Sequence, residues 1–596
     1  MLASAPAIDC PHADRCAGCP LIGEPYAAQL VHKQGALARA LAAYRELAGL
    51  TPEPIAAAEP AVEYRLRAKL VAHGNALGLY ARGSHAVVDI PGCRVLRPLV
   101  ARTVAAVRSA LPFSFPLLAL DVREADQGTL VTLIVPPDAN EGAVRRAANA
   151  LMKAHPEILG VSLARRAVRS AQVLGSAPVS LVGVASAPHR LGPGTPFHEA
   201  VPGGFVQAHA GQTLKLHAAI EAALSRSLGG LRGRHILELY AGAGALSLRL
   251  SAKGAQVSAV DSFGPNLNRL ERVARAQKLA LNTRTLSAED ALADTDAARP
   301  DAVIVDPPRR GLSPSVRRAL AELRPRALIY VSCEPRTLAR DLFHFRHLGL
   351  GVAELSPWDM IPLSESVETL ALLKPGEPPA LRVLYEDATL LAVERGALGT
   401  NTPTGDTPGS LLRRVRELLG NAEAQLVPGL EPDISGICLV ARKPAALPEL
   451  SQALLQGQKQ YLSLVRGIIR SKGRVERAAR DGRAATRYRR ERVVGTHSLV
   501  RAFPEPGQRS QLRQHLGSIG HPVLGDPRFG DAASNRYFDE RHGLDRPFLH
   551  CARLELHHAG TALTLESELA ADLAVVLESL ATPASVERDE ATSRSE

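Results

Sequence analysis

The chain has 596 residues, 46% hydrophobic and 22% charged, with 71 Lys and Arg against 60 Asp and Glu for a formal charge of +11. That length exceeds what one core needs, so two to four domains are expected, and with no run of eighteen apolar residues no membrane span is expected. The N-terminus lacks a basic start followed by an apolar stretch, so a reducing cytoplasmic setting is expected; the basic balance suits a polyanion such as nucleic acid, or simply a solvated basic surface.

In chain order, the first feature is "CPHADRCAGC", Cys10 to Cys19, which holds three of the seven cysteines. A disulfide fits poorly with a reducing compartment, which leaves zinc or an iron–sulfur site needing a fourth ligand. Residues 1–200 then alternate short β-rich runs such as "LVTLIVPP" with the helical stretch "AVRRAANALMKAH". From about 205 to 375 strands and helices alternate, and "HILELYAG" and "DAVIVDPP" read as buried parallel strands. A Pro/Gly cluster near 375–379 reads as a linker. Residues 382–580 have an α+β pattern of short strands and turn dipeptides, and the polar tail 581–596 is expected to be disordered. "RDLFHFRHLG" (340–349) reads as a helix with one wet face, and Cys438 and Cys551 as core residues of apolar strands.

"ILELYAGAGALSL" is a strand, a glycine turn and a helix start. Gly242 and Gly244 let the backbone approach a ligand closely. Nineteen residues after Gly242, "VSAVD" ends a second strand at Asp261, placed to hold two ribose hydroxyls. The third glycine of a dinucleotide fingerprint would fall at Ser247, so S-adenosylmethionine suits the turn better than NAD. A tight turn in a plain α/β sheet is the simpler alternative. "DPPRRGLSP" begins at Asp306, and "LIYVSCEPRTLARD" puts Cys333 just past a strand, both where α/β sheets build sites. Arg336 is the cation expected to favour a Cys333 thiolate. Glu368 leads into an apolar strand, where a carboxylate is costly without a role or a partner.

Together these segments resemble the uracil-C5 RNA methyltransferases that make 5-methyluridine in tRNA and 23S ribosomal RNA. Asp306–Gly311 matches that family's DPPRxG loop, Ser332–Thr337 its nucleophile segment and Ser366–Leu373 its H-x-E-T-x-x-L-L segment. Phe205 and Gln207 match F-x-Q-x-N, with His209 where Asn is usual, and Arg65 and Lys69 match a basic segment. The resemblance spans about residues 10–375. It implies a Rossmann-like S-adenosylmethionine-dependent domain over 205–376, in which Cys333 adds to uracil C6 and Glu368 removes the C5 proton. It places Gln207, Glu238, Tyr240, Gly242, Gly244, Asp261, Asp290 and Asp306 around the cofactor, with Asp290 reaching the adenine and Asp306 or Gln207 steadying the uracil edge. It also implies a [4Fe–4S] cluster on Cys10, Cys16, Cys19 and Cys93, with zinc as the alternative. Residues 1–95 are expected to form the cluster region and 96–204 an RNA-binding α+β subdomain. The RNA expected is 23S rRNA, with tRNA as the alternative, because the chain begins at the cysteines with no barrel before them. No obligate protein partner is implied.

From residue 382 the chain resembles the RluA-type pseudouridine synthases, through "KQYLSLVRG" (459–467), "GQRSQLRQHLGSIGHPVLGDPRFG" and "FLHCARLEL". The family's R-L-D-x-x-T-S-G segment reads "GLEPDISG" here (429–436). Glu431 stands where the essential Asp is expected, Gly429 replaces Arg and Ile434 replaces Thr. Asp433 is two residues off register, and an early N-K-P-x-G turn is missing. Tyr461 and Arg513, the implied ring-stacking and carboxylate-pairing partners, remain. An extra methylene displaces the carboxylate, and about 1 Å of misplacement can cost 10²-fold. The expectation is therefore a domain that grips RNA without catalysing. The alternatives are a bifunctional enzyme using Glu431, and a scaffold with neither activity.

Overall fold

The computed structural model describes residues 7–168, 170, 173–205, 207–294, 298–396, 410–479, 482–505 and 510–581, so the expected tail lies outside the described residues beyond 581. Three large sheets follow one another along the chain.

The first holds β1 (Arg67–His73), β2 (Ala76–Tyr80), β3 (Val87–Asp89), β4 (Ala119–Ala125), β5 (Gly128–Val135), β6 (Ile158–Arg165) and β7 (Val179–Gly183), in the order β3-β2-β1-β4-β5-β6-β7. β4 and β5 are buried along their whole length, as strands covered on both faces are. Helices Pro98–Ser109 and Glu141–Ala154 pack on this sheet, and Asn140 caps the second by accepting the Ala143 N–H at 3.0 Å. β1 pairs with β4 from Arg67↔Arg123 to Val71↔Ala119. The boundary expected at residue 95 is thus crossed by a sheet, and the cysteine region shares its core with residues 96–183. The pairing joins residues 48 to 56 positions apart, which no local pattern reveals. A hairpin of β8 (Ala187–Arg190) and β9 (Phe197–Ala200) leads out of this layer.

The second sheet holds β10 (His235–Leu239), β11 (Gln256–Asp261), β12 (Leu281–Thr285), β13 (Ala302–Val305), β14 (Ala327–Ser332), β15 (Leu350–Trp358) and β16 (Glu368–Pro375). Its order is β12-β11-β10-β13-β14-β16-β15. β10 to β14 are parallel, and β16 is antiparallel to β14 and β15. The strand order reverses between β10 and β13, which is where doubly wound sheets bind ligands. The N-terminal helix Tyr26–Ala42 packs on helix Pro335–His347 of this layer, and a buried Lys33–Asp359 ion pair fixes it there.

Residues 376–382 carry no helix or strand. The third sheet holds β17 (Val383–Glu386), β18 (Leu390–Arg395), β19 (Gln425–Leu426), β20 (Ser435–Ala441), β21 (Gln458–Val465), β22 (Lys472–Ala479), β23 (Gly482–Val494), β24 (His497–Glu505), β25 (Leu549–His558) and β26 (Thr561–Glu566). Its main path is β17-β18-β20-β25-β21-β24-β23-β22. Cys438 and Cys551 are buried on β20 and β25.

Helix Pro335–His347 differs from the expected one-sided helix: Thr337 through Phe345 are all buried. The Tyr26–Ala42 helix covers one side, while the end of helix Ala532–His542 with the turn after it, and helix Ala571–Ala581, of the third layer meet another through Arg340 and the core around Phe343. Its polar positions, Arg340, Asp341 and His344, face protein from distant segments, which the local pattern cannot reveal.

Candidate active site

β10, β11, β13 and β14 end on one edge of the second sheet, and antiparallel β16 begins there. Glu238 and Tyr240 lie at the end of β10, Asp261 closes β11, Asp306 follows β13, Cys333 follows β14 and Glu368 opens β16. The pair Ser332↔Thr369 sets Cys333 across from Glu368 on neighbouring strands. The sheet thus gathers residues separated by up to 130 positions in sequence.

Cys333 is half-buried. Burial, then Glu368, pushes its thiol up to about 12; Asp306 and Glu334 add to this and Arg309 opposes it. The cation beside the sulfur is therefore Arg309 rather than the expected Arg336. Arg336 lies in the first turn of its helix, where Glu334 accepts its backbone N–H and pairs with its side chain at 3.4 Å. Arg309 sits within the DPPRRG motif, so its closeness to Asp306 in sequence was the available signal. Glu368 is 8% exposed. Burial, then Asp306, raises its carboxyl well above the usual range, against Arg309. Asp306 is hemmed in by protein yet its side chain opens to solvent. Desolvation raises it too, and the two carboxyls titrate as a pair in which one proton is held tightly. Glu238 is pushed up to about 7 by burial, with Asp306 and Asp261 adding to it, and it accepts a hydrogen bond from the Ser247 hydroxyl. Ser247, where a dinucleotide fingerprint would carry glycine, thus anchors this carboxyl.

The glycine turn is strained in a consistent way. Tyr240 holds φ +62°, costly for a residue with a Cβ, and Gly242 and Gly244 follow at +55° and +73°. A Cβ on Gly244 would lie 2.3 Å from the buried Leu270 side chain. Asp261 accepts N–H bonds from Gly242 at 2.9 Å and Phe263 at 2.8 Å, which locks the turn to the end of β11. Burial pushes the Tyr240 hydroxyl up to about 12.

Gln207 lies two residues before His209, the N-cap of helix Ala210–Leu228. His209 Nδ1 accepts the Gln212 N–H at 3.3 Å while Nε2 faces the Pro60 carbonyl at 3.1 Å. Burial lowers its pKa and keeps it neutral, so His209 does the capping work an Asn would do there. Asp290 is exposed; it accepts from the Ser287 hydroxyl at 2.7 Å in the first turn of helix Ala288–Ala293. Among the described residues, neither Asp290 nor Gln207 is hydrogen-bonded to the residues of the sheet edge. Arg65 bridges the backbone of Leu96 and His209, and Lys69 is exposed on β1.

Cys10, Cys16, Cys19 and Cys93 line one small pocket with His12, Ile22 and Ile90. Burial, then Cys93, pushes the Cys19 thiol up to about 12, with Cys16 and Cys10 adding and Arg65 opposing. Cys93 is raised mainly by burial. Among the described residues no group of three or more His, Cys, Asp or Glu stands arranged to hold a metal ion.

In the third layer Glu431, Tyr461 and Arg513 line a single cleft of about 680 Å³. Glu431 accepts from Arg513 Nη1 at 2.8 Å, from the Ser510 hydroxyl at 2.7 Å and from the Ser510 N–H at 3.1 Å. Asp526 clamps the other face of Arg513 with bonds of 2.6 and 2.7 Å. Arg395 binds the carbonyls of Pro432 and Ile434 and so shapes the loop where the expected Arg is Gly429. Asp433 gives its carbonyl to Arg546 at 3.3 Å.

Residues 145–375 match the family model described as tRNA (uracil-5-)-methyltransferase. An uncharacterised RNA methyltransferase of Geobacter sulfurreducens is 28% identical over 386 residues, covering 61% of this chain and 76% of that protein. The ribosomal large subunit pseudouridine synthase C of Escherichia coli is 34% identical over 212 residues, covering 32% of this chain and 66% of that protein. The crystal structure of the Pyrococcus abyssi tRNA (uracil-54, C5)-methyltransferase with S-adenosyl-L-homocysteine matches 60% of this chain and 86% of that chain, at 22% identity and a TM-score of 0.49. The chain is a multidomain α/β protein that carries an enzyme region of the RNA uracil-5-methyltransferase family. Joined to it is a pseudouridine-synthase-like domain. No helix among the described residues is long and apolar enough to cross a membrane.

Proposed function

We propose that this protein methylates C5 of a uridine in 23S ribosomal RNA through a covalent bond from Cys333. The observation that carries the proposal is the pairing of Cys333 with Glu368 on adjacent strands, at the same sheet edge as the glycine turn and Asp261. Uracil C5 is a poor nucleophile. The Cys333 thiolate adds to C6, the C5–C6 electron pair moves into an enolate, and C5 becomes able to accept a methyl group. Glu368 then takes the C5 proton, and the electrons of that C–H bond expel the thiolate from C6. Its raised affinity for protons suits a base. Asp306 or Gln207 holds the uracil edge. A paired uracil hides C6, so the target is flipped out or unpaired, and the +11 charge serves phosphate binding.

S-adenosylmethionine supplies the electrophilic methyl on a sulfonium. The residues present fit it: left-handed glycines allow close approach, Asp261 keeps acceptor capacity for a ribose, and Glu238, Asp261 and Asp306 make the edge acidic, as a sulfonium cation prefers. Asp290, with its carboxylate at a helix start, is assigned the adenine. Cys10, Cys16, Cys19 and Cys93 would hold a [4Fe–4S] cluster. The support for this assignment is that the four thiols line one pocket, as the four ligands of a cluster must. The cluster would tie the N-terminal loop to the β3–helix connection and takes no part in methyl transfer. Anaerobic purification then yields brown protein with iron and sulfide; a colourless protein containing zinc refutes the assignment.

Similarity to a large-subunit pseudouridine synthase supports ribosomal RNA, which the third layer grips without isomerising uridine. The bifunctional reading is favoured by one observation, the Glu431–Arg513 bond beside Tyr461. Mass-spectrometric mapping of RNA from a deletion strain tests all of this. Loss of one 5-methyluridine from 23S rRNA supports the proposal, and loss from tRNA redirects it. Joint loss of a pseudouridine selects the bifunctional enzyme, while retention of every methyl mark refutes methylation.

A further inference from the structure

The loop Asp306–Leu312 carries Asp306 and Arg309 to the thiol, and it is held by buried charges rather than by its own sequence. Arg340 donates to the Arg310 carbonyl at 2.8 Å, Arg317 to the Leu312 carbonyl at 3.0 Å, and Asp341 accepts the Leu312 N–H at 2.8 Å. Thr337 adds a bond to the Arg309 carbonyl at 2.8 Å. Asp341 pairs with both guanidiniums and also accepts from the Tyr330 hydroxyl.

Within the methyltransferase layer this leaves two arginines, each about 2% exposed or less, against one fully buried aspartate. Such an excess of buried positive charge is costly without a partner. The missing carboxylate comes from the third layer: Asp545 Oδ2 lies 2.6 Å from Arg317 Nη2 and 3.3 Å from Arg340 Nη1. The Gly543 carbonyl and Asp539 complete the shell of Arg340, each at 3.3 Å. Burial would push the Asp545 carboxyl up, but Arg317 and Arg340 hold it below its usual value.

We propose that Asp545 of the pseudouridine-synthase-like domain is a positioning residue for the methyltransferase site, neutralising Arg317 and Arg340 so that they hold the Asp306–Leu312 loop against Cys333. The domain then has a function that does not depend on whether Glu431 catalyses: it completes the charge balance beneath the nucleophile's neighbouring loop. This rests on the proposed role of Cys333, and it predicts that the pseudouridine-synthase-like domain cannot be exchanged freely for a separate protein.

The test uses the full chain with Asp545→Asn and, as the conservative variant, Asp545→Glu. With Asp545→Asn the methyl-transfer kcat falls by about 10²-fold, as for a catalytic group displaced by about 1 Å, while S-adenosylmethionine still binds, because the glycine turn and Asp261 lie on other strands. Iodoacetamide alkylation of Cys333 shifts to higher pH as Arg309 moves away. Asp545→Glu restores most of both. The proposal is overturned if folded Asp545→Asn keeps the wild-type kcat and alkylation profile. It is equally overturned if cofactor binding and thermal stability fall together and Asp545→Glu rescues nothing, since that marks a purely structural contact. Should wild-type protein methylate no uridine, the proposed function fails, and the alkylation profile still reports whether Asp545 acts on Cys333.

Discussion

Replacing Glu368 by Gln keeps the side chain's size while removing its ability to take a proton, and the structure assigns the change two opposite consequences. Glu368 is the largest charged contributor to the raised Cys333 thiol, which stands at about 12. Without it the thiol relaxes toward its ordinary range, so attack on C6 is as fast as before or faster. Release of the product needs the C5 proton removed, and losing a positioned general base costs about 10²–10⁴-fold, or about 3–5 kcal/mol at 1.36 kcal/mol per decade. Turnover therefore collapses while the covalent intermediate builds up. Incubating Glu368→Gln with S-adenosylmethionine and a uridine-containing RNA, then running a denaturing gel, gives a protein–RNA band that is faint for wild type and strong for the variant. The reasoning is refuted if Glu368→Gln turns over at the wild-type rate, or if it loses turnover with no trapped RNA.

The pH dependence follows from the same neighbours. With Glu368, Asp306 and Glu334 raising the thiol and Arg309 lowering it, Cys333 stays mostly protonated at neutral pH. Its alkylation rate thus climbs about tenfold per unit between about pH 7 and 9, and Arg309→Gln slows it at every pH in that window; a plateau near neutral pH in wild type contradicts this. Gly311→Ala strains the loop, because φ is +75° and a Cβ would sit 2.6 Å from Asp341 Oδ2. A loss of about 1–3 kcal/mol in thermal unfolding is expected, with methylation reduced; wild-type stability argues against the packed loop. Purified protein acting on 23S rRNA forms no pseudouridine, and a pseudouridine that disappears in Glu431→Gln reinstates catalysis by the third layer.

The readable part of this molecule was its local chemistry. A glycine turn between an apolar strand and a helix, a second strand ending in Asp261, and a cysteine just past a strand each announce themselves in a dozen residues. Parallel-sheet geometry then brings them to one edge. What stayed hidden depends on long-range pairing. The cysteine region and residues 96–183 share one sheet through β1 and β4, although the expected division at residue 95 separates them. Arg336 reads as the cation for Cys333, but the Glu334 cap claims it and Arg309 is the arginine that acts on the sulfur. Helix Pro335–His347 reads as half wet because Arg340, Asp341 and His344 are polar. The partners of Arg340 and Asp341 lie on Pro314–Leu323 and around residue 545, and no local period encodes that. His209 is a related case: an unusual residue at a motif position proves to be a neutral imidazole doing the work of an N-cap.

The central claim is tested most directly by trapping on RNA carrying 5-fluorouridine at the target site. Fluorine at C5 cannot be removed as a proton, so elimination stops after methyl transfer. The account predicts one stable complex whose digested peptide contains Cys333 joined to a methylated fluorouracil nucleotide, absent in Cys333→Ala. A nucleotide attached through any other residue, or undiminished methylation of normal RNA by Cys333→Ala, would contradict it.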